Sequence, residues 1–123
     1  MNNLFSKLEE EGVNEILVGY RTYKLTIKRG LKLHDDKCFG MVDFDIGVLY
    51  LEKDMDYETA RETLIHELTH IALELGGLGG DENHQVGPYT NEHITTVLAR
   101  NWLSLMNLNP KLFSIINERP STN

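Results

Sequence analysis

The 123-residue chain lacks the features that mark several large classes of protein. It has a single cysteine, Cys38, so no disulfide can form within it and a disulfide-stapled fold is excluded. A lone thiol fits a reducing cytoplasm. It has only three prolines, no low-complexity tract and no internal repeat, which removes proline-rich linkers and solenoids. No apolar run approaches the roughly 20 residues that cross a bilayer. The first twelve residues carry Glu9, Glu10 and Glu11 and no apolar h-region, so they do not read as a signal peptide. Positive charge is scarce: 12 Lys and Arg stand against 19 Asp and Glu, a net charge of −7. Outside the short basic region at residues 24–32 the cations are scattered, which argues against a nucleic-acid or anionic-membrane surface. What is left is one domain over residues 1–123, large enough for a single core.

Against these absences stands one motif. Residues 63–73 contain His66-Glu67-Leu68-Thr69-His70 inside an apolar, helix-forming segment. On a helix, His66 and His70 lie one turn apart on one face. Two imidazoles so placed can hold one Zn2+ ion, with Glu67 beside them as general base for a water that the metal activates. Residue frequencies alone give the spacing by accident roughly a few times in a thousand for a chain this long. The helical context agrees. Asp56 is a suitable N-cap, Glu58 and Glu62 favour the N-terminal end, and Gly76-Gly77 stop the helix. Leu64, Leu68, Ile71 and Leu75 form a stripe that faces a core, and the two histidines fall on a neighbouring face. The competing reading is two surface histidines on an ordinary amphipathic helix.

Elsewhere the pattern is local. Residues 1–12 read as a short helical arm stopped by Gly12. Residues 15–20 and 23–28 read as a hairpin turning near residues 19–22, with Tyr23, Leu25 and Ile27 alternating against Lys24, Thr26 and Lys28. Residues 30–37 read as a loop, in which His34 flanked by Asp35 and Asp36 is a remote candidate for a second metal site. Residues 39–44 and 47–52 read as a second hairpin, whose exposed edge, beside the motif helix, can pair with a peptide by strand addition. A glycine-rich loop over residues 76–90 is a lid or the mouth of the site. A helix over residues 91–107, capped by Thr90 or Asn91, has Ile94, Val97, Leu98, Trp102, Leu105 and Met106 as its apolar stripe, expected to pack antiparallel on the motif helix. Pro110 opens a short helix that buries Leu112, Phe113 and Ile116, and residues 119–123 read as a frayed tail.

A catalytic zinc commonly takes three protein ligands. Glu92, in the first turn of the second helix, is the expected third; His93 beside it and His84 in the glycine-rich loop are the alternatives. Glu92 also suits the helix dipole, and His93 a partly buried first turn. Tyr89 and His84 are the candidates for stabilising an oxyanion.

The arrangement resembles the gluzincin class of zinc metallopeptidases, in which a glutamate on a second helix follows the His-Glu-x-x-His helix. More closely, residues 63–70, 92–99 and the Asn109-Pro110-Lys111-Leu112 segment resemble the small zincin-like proteins of bacteriophages and mobile elements, distant relatives of the ImmA/IrrE peptidases. The likeness runs from about residue 15 to residue 116. A metzincin fits poorly, because Leu73 and Gly76 stand where that group needs Gly and His. The resemblance implies an α+β, minimal zincin-like domain, with a small antiparallel or mixed sheet packed on the motif helix and the ligand-bearing helix. It also implies Glu92 as third ligand, and a cytoplasmic setting in a bacterial or phage-infected cell. The expected activity is hydrolysis of peptide bonds in an intracellular protein or peptide, with no nucleic-acid or membrane partner. The alternative is a zinc-binding protein-interaction module with little or no turnover.

Overall fold

In the computed structural model, which describes residues 3–78 and 91–118, the strands are β1 (Glu15–Leu17), β2 (Thr22–Lys28), β3 (Lys32–Leu33), β4 (Asp36–Lys37), β5 (Gly40–Asp43) and β6 (Val48–Glu52). The helices are α1 (Asn3–Glu10), α2 (Tyr57–Leu75), α3 (Asn91–Leu108) and α4 (Pro110–Asn117), making an α+β fold. Both expected hairpins form: β1 pairs antiparallel with β2, and β5 with β6. Period-two alternation decides which side chains go inward, so Ile16, Tyr23, Leu25, Leu49 and Leu51 are buried. The hairpins join through β2 and β6, which run parallel with Leu25 opposite Leu49 and Ile27 opposite Leu51. The sheet is therefore mixed, in the order β1-β2-β6-β5.

The segment expected as a loop forms the β3–β4 ribbon instead. His34 and Asp35 form its two-residue turn, with φ of 52° and 67°. That backbone matches the twist of a tight hairpin, and it was not foreseen because neither turn position carries glycine. The Glu52 carboxylate ties the ribbon down by accepting from the backbone N–H groups of Gly30, Leu31 and Asp54.

The helices follow from caps and apolar faces. α1 buries Leu4, Phe5 and Leu8 and packs on α2 and α4, so it is a docked element rather than an arm. The Asp56 side chain caps α2, accepting from the Thr59 N–H at 2.7 Å. α2 ends in a Schellman motif: Gly77 takes φ of 71°, its N–H donates to the Glu74 carbonyl, and the Leu78 N–H donates to Leu73. Leu64, Leu68 and Ile71 are fully buried as their spacing requires, each contributing roughly 1.5–3 kcal/mol, while Leu75 is only partly covered.

α3 packs on α2. The Asn101 side-chain N–H donates to the Ala72 carbonyl, and Val97 lies against Gly76. One turn forward on α2 thus corresponds to one turn back on α3, which is the antiparallel register expected. Leu105 is buried and Trp102 is partly buried, edge-on to Phe113 with ring centroids 5.6 Å apart. Met106 departs from expectation: it is 38% exposed, because α3 presents only one narrow side to the core here.

Asn109 links α3 to α4. Its side chain accepts from the Leu17 N–H at 2.7 Å and donates to the carbonyls of Leu17 and Leu105. Pro110 then opens α4, which buries Leu112, Phe113, Ile115 and Ile116. The far end of α4 is tied to the start of α2, since Arg61 Nε donates to the Ile116 carbonyl and the Tyr57 hydroxyl to that of Glu118. Among the described residues no helix is long and apolar enough to cross a membrane.

Candidate metal and catalytic site

The histidine pair is where helical geometry puts it. His66 and His70 project from successive turns of α2, and their Nε2 atoms are 3.1 Å apart. The rings stand edge to face, at 74° with centroids 4.8 Å apart. An ion bound to both nitrogens at zinc's usual ~2.0–2.1 Å would subtend an N–metal–N angle of about 95–100°, close to tetrahedral. The spacing of these two nitrogens is therefore compatible with their sharing one zinc ion. The same separation suits an N–H···N hydrogen bond when one ring carries its proton on Nε2. Zinc needs both nitrogens deprotonated, so the two readings compete for the same lone pairs.

Glu67 is one residue on, about 100° round the helix, and is 2% exposed. A carboxylate at that depth costs free energy that a structural helix has no reason to bear, which marks it as a functional candidate. β5 roofs it. A Cβ built on Gly40 would stand 2.7 Å from Thr63 Cγ2, 3.0 Å from Glu67 Cγ and 3.2 Å from Glu67 Oε2. Only glycine lets the strand lie this close to the helix.

Beside the carboxylate opens a cleft of about 460 Å3. Phe39 and Gly40 line it from the strand side; Thr59, Glu62, Thr63, His66 and Glu67 line it from α2. The motif did not point to these wall residues. A glycine at the start of a half-buried strand is a signal of close backbone approach, and it could have singled out Gly40.

The structure brings His66, Glu67 and His70 together. It does not add a third ligand: among the described residues no three His, Cys, Asp or Glu side chains form a group able to hold a metal. Glu92 and His93 lie in the first turn of α3. Neither joins His66 and His70 in such a group among the described residues. His84 and Tyr89 lie outside the described residues, as do residues 79–90 generally; the Asn91 cap is likewise not described. His34 and Asp35 are exposed turn residues, and no metal group forms around them among the described residues. The chain matches no protein-family model, no curated protein and no solved structure.

Proposed function

We propose that the chain is a zinc-dependent metallopeptidase of the zincin-like type, hydrolysing a peptide bond in an intracellular protein or peptide of a bacterial or phage-infected cell. The supporting observation is the 3.1 Å Nε2 pair standing next to a buried Glu67 at the end of a cleft. His66 and His70 would hold the ion, and Glu92 is the proposed third ligand, with His93 and His84 the alternatives. Bound there, zinc supplies Lewis acidity, lowering the pKa of a water to about 7 and polarising the substrate carbonyl.

The rest of the chemistry falls to the chain. Glu67 takes the proton of the attacking water on a carboxylate oxygen and delivers it to the leaving amine, so no covalent intermediate with the protein is needed. Its burial under β5 keeps bulk water from competing for that proton. Tyr89 or His84 is proposed to donate a hydrogen bond to the developing oxyanion.

A second reading, a zinc-binding interaction module with little turnover, draws support from the absence of a third ligand among the described residues. One set of variants separates these readings. Metal analysis after mild dialysis should find one zinc per chain, lost in His66→Ala and in His70→Ala. Glu67→Gln should keep the zinc and lose hydrolysis of a peptide library. Equal metal content in the parent and both histidine variants would remove zinc from the account. Zinc without hydrolysis in the parent would leave the interaction module.

A further inference from the structure

The cleft has walls that the hydrolytic reading does not use. Thr59, Glu62 and Thr63 lie on the face of α2 that continues from His66 towards the N-terminus of the helix. Opposite them stands Phe39, which leaves 57% of its surface exposed instead of contributing to the core. At the Glu67 end the walls close together, where Gly40 packs directly on Thr63 and Glu67. Among the described lining residues, Glu62 is the charged one outside the motif. Its neighbour Arg61 is directed elsewhere, its Nε donating to the Ile116 carbonyl at 2.8 Å. Lys7 pairs with Glu118, Arg29 with Asp54 and Lys111 with Glu11, so none of these cations is engaged with Glu62.

We infer that this cleft is a subsite for a basic substrate side chain, lysine or arginine, with Glu62 selecting the charge and Phe39 flanking the stem. That it serves a substrate rests on the peptidase reading above. Length agrees with the assignment. Glu62 lies one turn, roughly 6 Å along the axis, from His66, a distance that lysine's four-carbon stem and ammonium can cover. The stem is apolar and suits the Phe39 ring and the threonine methyls. The cation gains from both the ring face and the carboxylate. An acidic side chain would meet Glu62 and a chain of net charge −7. A neutral aliphatic chain of the same length keeps the wall contacts and loses the charge term.

The test needs neither metal nor a known cleavage sequence. Nα-acetyl-lysine amide, Nα-acetyl-arginine amide and the neutral Nα-acetyl-norleucine amide are titrated into the zinc-free protein, with the Thr59, Thr63 and Phe39 amides followed by NMR. The basic ligands should bind about five-fold more tightly than norleucine. Glu62→Gln should reduce that ratio at least two-fold without shifting the melting curve, since Glu62 is exposed. Equal affinities for lysine and norleucine, no binding by either, or a ratio unchanged by Glu62→Gln each overturn the inference. In parallel, a positional-scanning peptide library given to the zinc-loaded protein should be cleaved with a preference for Lys or Arg at one position, and Glu62→Lys should reverse it towards Asp or Glu. Cleavage without a basic preference sinks the subsite alone. Absence of zinc and cleavage, with selective lysine binding intact, sinks the peptidase reading alone.

Discussion

Two polar side chains are buried among the described residues, and they are buried differently. Asn109, 6% exposed, has its amide oxygen and nitrogen engaged by Leu17 and Leu105, so its burial completes the backbone around it. Glu67, 2% exposed, is a group that ionises; it lies under β5 and borders a cleft beside two histidines. A neutral amide with matched partners stabilises by roughly 1 kcal/mol per hydrogen bond. A carboxylate brought to the same depth loses several kcal/mol of hydration that must be offset. Asn109 is therefore what a fold does for itself, and Glu67 is the residue whose burial the proposed chemistry would use.

That contrast can be broken by mutation. The largest effect should come from Glu67→Gln, which keeps the shape and removes the ionisable oxygen. Hydrolysis by the zinc-loaded protein should fall about 10^2- to 10^4-fold, with zinc content unchanged. A fall of less than about three-fold would put Glu67 on the same footing as Asn109. Next comes Asn109→Ala, which leaves the Leu17 N–H and carbonyl without their side-chain partner, while the Leu105 carbonyl keeps the backbone N–H of residue 109; urea denaturation should show a loss of about 2 kcal/mol. If this variant is as stable as the parent, the amide is not holding α3, α4 and β1 together.

Gly40→Ala should cost about 1–3 kcal/mol, because β5 must lift away from Thr63 and Glu67. Adding Thr63→Ser removes the closest clash and should recover stability more than hydrolysis, since the contact on Glu67 remains. Full recovery of both would show that Gly40 acts on packing only.

The smallest effect concerns acid. Hydrogen bonds from Thr59, its backbone N–H first, hold the Asp56 carboxyl below the ordinary carboxylate range, and the Asp54 and Leu31 N–H groups do the same for Glu52. A carboxylate whose folded pKa is depressed contributes stability above its unfolded value and loses it as pH falls through the folded one. The melting temperature should therefore decline slightly as pH drops below the ordinary carboxylate range, and less so in Asp56→Asn, which retains a capping oxygen. An identical decline in that variant would remove Asp56 from the account.

Much of this was readable from local pattern. Alternation at Tyr23, Leu25 and Ile27 marked a strand, and Asp56 with Gly77 bounded the motif helix, because caps and period-two burial are written in neighbouring residues. The parallel pairing of β2 with β6 was not legible, since it depends on which hairpin meets which. The His34-Asp35 turn lacked its usual glycine signal. Met106 fits the helical stripe by spacing, yet a stripe does not say how wide the partner surface is. The motif showed the histidine pair and Glu67 but not the cleft, because Phe39 and Glu62 come to line one space only after β5 docks on α2.

Asn109 has one more consequence. The terminal strand of a sheet offers unpaired N–H and C=O groups to any extended chain that comes near. At Leu17 those groups are already taken by a primary amide, which presents a donor and an acceptor side by side as a peptide unit would. A single side chain thus stands in for the missing neighbour of β1. At Leu17 the edge is closed, and two copies of the protein cannot join strand to strand at that residue without first evicting Asn109.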